Sequence, residues 1–199
     1  MSEARIGRLL AASLHQAIGD VMPLRLDFYE VWLRSDGLRD GSIGLAPMTA
    51  VLGFLRTEDN YNRVVTLAGR LAAEWTLASI SPLRRRVIGL LPRWLRARVA
   101  LRIGAGIVRD VFSASRVSTR VRRKTAELDV RESLFCAVRE LRPLPLCGFY
   151  VSVATATLGA FGIPARGRVE RCRAVNGPTC IIAVDLSGAG AASESAMAA

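Results

Sequence analysis

The chain has 199 residues, 51 % apolar and 23 % charged, a balance that excludes a disordered polymer and suits one domain with a core of its own. The net charge of +11 is local: residues 84–124 hold thirteen basic side chains and one acid, Asp110, giving +12 and leaving the rest near −1. Lys124 is the sole lysine, so the charge is almost all guanidinium, and no base-reading motif accompanies it to indicate specific nucleic-acid binding.

In chain order, Ile6, Leu9, Leu10, Leu14, Ala17 and Ile18 recur at helical spacing and predict an amphipathic helix over residues 3–20. Further helices are expected at Leu24–Leu33, Ala46–Leu55 and Tyr61–Leu77, with Asp36-Gly37 and Asp40-Gly41 as turns. Pro82 and Pro92 frame a basic helical stretch reaching about Phe112, Pro92 either breaking it or opening a new helix.

Near Ser115 the period falls to two. Val117, Thr119 and Val121, then Ala126, Leu128 and Val130, alternate with charged residues as two half-buried strands would. Ser133 can cap a short helix through Arg139, and Leu146–Phe161 reads as an apolar helix. That helix lies in a charge-free run of 23 residues, Pro143 to Ala165. The prolines confine it to about 22 Å, too short for the ~30 Å hydrocarbon core, so it is expected in the protein interior. Arg168–Arg173 and Thr179–Leu186 read as strands joined through Asn176-Gly177-Pro178. The fold expected is α+β, a helical N-terminal half packed on a four-stranded antiparallel sheet within 1–186, followed by a disordered tail over 187–199.

Cys147, Cys172 and Cys180 stand in C-x24-C-x7-C spacing. A hairpin centred on Asn176 sets positions 172 and 180 opposite one another, roughly 4.5–5.5 Å apart at Cβ, where two thiolates can share a tetrahedral zinc. Cys147, opening the helix that packs on this sheet, can supply a third ligand. Glu127, Asp129, Glu132 and Cys136 are the candidates for a fourth. The same spacing also admits plain buried thiols or a redox disulfide between Cys172 and Cys180.

Several of these segments resemble a known family. Ser133-Leu134-Phe135, Pro145-Leu146-Cys147-Gly148-Phe149-Tyr150 and Val169-Glu170-Arg171-Cys172-Arg173-Ala174-Val175-Asn176-Gly177-Pro178-Thr179-Cys180 are similar to the C-terminal core of the 4-vinyl-reductase, or hydrocarbon-binding, domain. That domain is akin to the subunits of the TRAPP tethering complex. The resemblance covers about 115–186 and continues more weakly upstream, where the Tyr61–Gly69 run and Leu90-Leu91-Pro92-Arg93-Trp94-Leu95 look like the bacteriochlorophyll-pathway members.

The resemblance implies a TRAPP-like fold and a structural zinc on Cys147, Cys172 and Cys180 with an upstream acidic residue, as in related sensor domains of aromatic-responsive activators. It implies an apolar, aromatic or tetrapyrrole ligand, for which Phe112, Phe135, Phe149, Tyr150 and Val153 are the candidate lining, and a homodimer built through the N-terminal helices.

Catalysis is not expected despite the family's name. The sole histidine, His15, sits on an amphipathic helix, and Gly104-Ala105-Gly106 lies in a helical stretch rather than after a strand. Met-Ser-Glu-Ala-Arg is not a secretory signal, which suggests a cytoplasmic protein. Arginines interleaved with Leu90, Leu91, Trp94, Leu95, Val99 and Leu101 also fit a helix resting on anionic membrane, so a peripheral place at the inner membrane and a scaffold role form the alternative expectation.

Overall fold

In a computed structural model, residues 5–33, 42–138 and 140–187 are described, with the side chains of residues 42 and 43 excepted. The expected Asp-Gly turns and the C-terminal tail from residue 188 lie outside them. The elements are β1 (Ile6–Gly7), α1 (Arg8–Val21), a 3-10 turn at Pro23–Arg25, α2 (Leu26–Leu33), β2 (Ser42–Ile43), α3 (Leu45–Leu55) and α4 (Tyr61–Ala78). Then follow α5 (Pro82–Gly89), α6 (Arg93–Val111), β3 (Arg116–Val121), β4 (Thr125–Arg131), α7 (Gly148–Ala160), β5 (Arg166–Arg171) and β6 (Cys180–Asp185).

The expected α+β architecture is present. An antiparallel sheet in the order β3-β4-β6-β5 carries α6 and α7 on one face, with α4 against α7 and α1 against α4. Alternation decides which face is which. Ala126, Leu128 and Val130 of β4 and Cys180, Ile182 and Val184 of β6 are buried toward the helices, while Glu127, Asp129 and Asp185 point the other way. α7 is apolar almost all round because it is enclosed between α4 and the sheet. Its buried Thr157 hydroxyl donates to the carbonyl of Val153 at 2.9 Å, so no polar group is stranded. The chain crosses closely here: a Cβ on Gly69 of α4 would collide with the Phe149 carbonyl, and one on Gly104 of α6 would lie 3.1 Å from Thr157 Oγ1. The Gly104 position is thus a helix-packing contact, as its sequence context indicates.

Three expectations need correction. Helix α1 starts at Arg8 rather than residue 3, because Ile6 pairs with Ile43 and bridges to Phe112, tying the N-terminal strand across the end of α6. The apolar helix begins at Gly148, leaving Leu146 and Cys147 in the preceding loop. No helix follows Ser133 among the described residues. Ser133, Leu134, Phe135 and Cys136 are all buried in succession, and the chain makes a turn there instead. Glu132 starts that turn in the left-handed region at φ 54°, a cost of about 1 kcal/mol. It is held by Ser115 Oγ donating to its carbonyl at 3.0 Å and by Arg173 Nη1 donating to its carboxylate at 3.2 Å.

Candidate functional site

Four segments meet below the N-terminus of α7. Cys147 immediately precedes α7 at its N-cap, Cys180 opens β6 beside Val130 of β4, Cys172 follows β5, and Cys136 comes from the turn after Ser133. All four are buried, and their Sγ atoms lie within 4.8 Å of one another. Cys136 is 3.1 Å from Cys147, 3.4 Å from Cys172 and 3.4 Å from Cys180, and Cys147 is 3.3 Å from Cys172. All four are free thiols, so the disulfide reading is corrected.

The register explains how Cys172 and Cys180 converge. The outer β5–β6 pairs run Arg166↔Asp185 to Val169↔Ile182, and an irregularity between Val169 and Arg171 then shifts the pairing to Arg171↔Ile181. Only after that shift does position 172 come opposite 180. The Cys172 carbonyl accepts the N–H groups of Val175, Asn176 and Gly177, which folds the turn tightly.

Cys136 is the fourth member of this cluster. Glu127, Asp129 and Glu132 are outside it: Glu127 and Asp129 alternate onto the opposite face of β4, where Asp129 lies 3.6 Å from Arg131, and Glu132 pairs with Arg173. The period of the strand removes these carboxylates, since Val130 and Leu128 take the inward positions.

A four-sulfur set can hold a divalent metal. Bonds of about 2.3 Å imply tetrahedral sulfur separations of about 3.8 Å, and the observed spacing needs only a slight outward adjustment to reach that. The protonation balance fits as well. Hydrogen bonds from Cys136, Cys147 and Cys180 hold the Cys172 thiol far below its usual range, whereas the contact with Cys136, then Cys172 and Cys180, with burial behind them, pushes Cys147 up. The hydrogen bond from Cys136 lowers Cys180 as well, and Cys136 is itself pushed up, so Cys172 and Cys180 ionise readily while Cys136 and Cys147 need a cation to replace their protons.

The surroundings supply further observations. Leu146 N–H points at Cys172 Sγ at 3.5 Å, and Tyr61 Oη donates to the Leu146 carbonyl at 3.1 Å, fixing the strand of chain that enters α7. Arg56, at the end of α3, donates through Nη2 to the carbonyl of Phe135 at 2.9 Å beside Cys136. Burial lowers its pKa, against the opposing influence of Tyr61 and Cys136, and its Nε is buried with no partner. Four thiolates around a divalent cation carry a net charge of −2, the counter-charge this guanidinium otherwise lacks. Arg56 and Tyr61 lie some eighty residues from the groups they support, and sequence spacing carries no signal for either.

Four of the five candidate ligand-lining residues are core side chains and do not line the cavity described below. Phe135 and Phe149 stack at 4.9 Å, and Tyr150 meets them edge-on at 5.5 and 5.8 Å. Phe135, Phe149, Tyr150 and Val153 are fully buried in the core. Tyr150 Oη and Ser133 Oγ share a buried hydrogen bond of 3.0 Å, and burial raises the phenol's pKa well above normal. Ser133 also reaches a cavity of about 330 Å³, which Phe112, the fifth candidate, lines with Leu134, Cys136, Leu45 and Leu141. Trp75 and Trp94 are exposed, away from this core, and His15 pairs with Glu30 at 2.9 Å on the surface.

No family model matches the chain, and no curated protein does. Solved structures do. Among them is the phenol-responsive sensory domain of the transcription activator PoxR, with phenol, at 16 % identity and a TM-score of 0.51. The match covers 71 % of this chain and 74 % of that one. This chain therefore shares the fold of a small-molecule sensory domain. No helix among the described residues is long and apolar enough to cross a membrane.

Proposed function

We propose that this protein is a non-catalytic binder of an apolar, aromatic or tetrapyrrole small molecule, of the 4-vinyl-reductase type, with a structural zinc on Cys136, Cys147, Cys172 and Cys180. The observation that carries the reading is the joint between cavity and metal centre. The turn that contributes Cys136 also contributes Ser133, Leu134 and Ala137, so one short segment forms a wall of the 330 Å³ cavity and a ligand of the candidate centre. The phenol recognised by the structural neighbour supports the same kind of ligand here. The cavity volume suits one or two aromatic rings. Ser133, which lines the cavity and shares a hydrogen bond with the buried Tyr150, offers a polar contact for a ring substituent. A tetrapyrrole requires the wall to open.

Native mass spectrometry and thermal shift with phenol, indole and protoporphyrin test this. A single-ring compound is expected to raise the melting temperature, and Phe112→Trp, which narrows the cavity, to weaken the effect while metal content stays unchanged. Failure of every compound to bind, or binding unaffected by Phe112→Trp, would overturn the reading.

A second surface favours the expected homodimer. Phe28, Trp32 and Phe54 form an exposed aromatic ridge on α2 and α3, with Phe28 and Phe54 at 5.2 Å, and Leu24 and Val31 stand exposed beside them. Light scattering is expected to give a dimer mass that Trp32→Glu halves; a monomer mass for the unaltered protein would remove this assignment.

A further inference from the structure

We propose that α5 and the start of α6 form a docking surface for an anionic lipid bilayer. A helix on a protein surface ordinarily turns its apolar side chains to the core, and α5 turns most of its own to water. At 100° per residue, Leu83, Val87 and Leu90 fall on one stripe, and this stripe faces out: they are 73 %, 55 % and 87 % exposed. Trp94, 54 % exposed, continues it onto α6. Ile88, on the opposite side, is the buried contact of α5 with the body of the protein.

Arginines flank the stripe on both sides. On the helical projection Arg86 borders it on one edge and Arg84 on the other, the arrangement of a helix lying in a headgroup layer. The whole segment 75–109 holds eight arginines and no acid. Some are engaged locally: Arg85 and Arg93 donate to the carbonyls of Leu77 and Leu186, Arg96 to that of Gly89 at 3.1 Å and Arg109 to that of Val117 at 3.2 Å. Arg84, Arg86, Arg98 and Arg102 pair with no carboxylate among the described residues. Arg98 lies over the Trp94 ring at 5.0 Å, and with Arg102, Arg120 and Thr119 it lines a groove of about 250 Å³. That groove, beside the Trp94 ring that Arg98 covers, is a seat for lipid phosphate.

The charge also argues against a second copy of this chain as the occupant. An isologous contact through this stripe would bring Arg84 and Arg86 against their own duplicates with no acid between 75 and 109 to relieve them. Anionic lipid answers both features at once, taking the leucines into the acyl boundary and the guanidiniums at the phosphates.

Co-sedimentation of the full chain with vesicles, free of any small-molecule ligand, tests the surface independently of the ligand reading. Binding is expected to vesicles of phosphatidylcholine with 30 % phosphatidylglycerol, to be lost on pure phosphatidylcholine, and to fall in 0.5 M salt. Val87→Glu with Leu90→Glu is expected to weaken it more than ten-fold, and Arg98→Gln with Arg102→Gln on the order of twenty-fold. The fluorescence of Trp94 is expected to shift to the blue on binding, a shift that Trp94→Phe removes. No binding to the anionic vesicles would overturn the proposal, as would binding undiminished by either pair of substitutions. A drop in oligomer mass for Val87→Glu with Leu90→Glu, with vesicle binding unchanged, would assign the stripe to a protein contact instead.

Discussion

The cysteine centre below α7 and the helix α5 treat their side chains in opposite ways. At the centre, four sulfurs, three aromatic rings and a guanidinium from several segments are drawn into the interior, where each polar atom must find a partner. In α5, large apolar groups are left in water although a core lies a few ångströms away. Each arrangement is costly in isolation, the first through desolvation and the second through apolar exposure. The two costs call for different complements. The buried thiols need a cation small enough to enter a closed site, and the exposed stripe needs a broad surface with apolar depth and negative charge. Nothing physical links the two, so substitutions in one are expected to leave the other intact.

The sharpest way to break this contrast is at the centre itself. Cys172 touches both Cys136 and Cys147 and carries the hydrogen bond from Leu146 N–H. Protein purified without a tag is expected to contain one equivalent of zinc by elemental analysis. Cys172→Ser is expected to lose that metal and about 3–5 kcal/mol of stability, a fall in melting temperature of roughly 10 °C or more. Removal of the metal from the unaltered protein by a chelator should reproduce the loss. Less than half an equivalent of zinc in the unaltered protein, with stability unaffected by the substitution, would leave four buried thiols and no centre.

How much of this was legible from the residues follows from the range of the interactions. The helices came from spacing within one segment, and β3 and β4 from strict alternation, so both needed only local information. Convergence of Cys147, Cys172 and Cys180 followed from a turn signal and a helix start, although the shift near Glu170 that brings 172 opposite 180 has no local mark. The choice of Cys136 over Glu127, Asp129 and Glu132 was left open because it depends on strand phase and on the turn after Ser133, whose residues bury one after another. The N-terminal strand across α6 and the support from Arg56 are pairings over about 105 and 80 residues, and no periodicity reports them. The outward face of α5 was equally hidden, since its pattern of leucines and arginines fits either a core-facing or a lipid-facing helix until the partner side is known.

Arg56→Met gives an intermediate effect that sharpens the account of the centre. Methionine keeps the length and apolar stem of the side chain while removing the charge and the bond to the Phe135 carbonyl. In metal-loaded protein the loss of a buried counter-charge is expected to cost about 2–3 kcal/mol, and in chelator-treated protein less, because Cys136 and Cys147 are then protonated. Denaturant titrations of both proteins in both states form a cycle that isolates the coupling. Equal costs with and without metal would mean that Arg56 only braces the turn.

The smallest effect is expected on the other side of the comparison. Leu90 is almost wholly in water, so Leu90→Glu opens no cavity and strands no polar group, and stability in dilute solution should change by within about 0.5 kcal/mol. Its neighbours Arg86 and Arg93 would even gain a nearby carboxylate. The same substitution is the one expected to weaken vesicle binding, so a neutral result in solution beside a large one on lipid ties the stripe to the bilayer rather than to folding. A melting temperature that falls with Leu90→Glu and depends on protein concentration would show the opposite: that the stripe is covered in solution by another copy of the chain, despite the arginines that oppose such a contact.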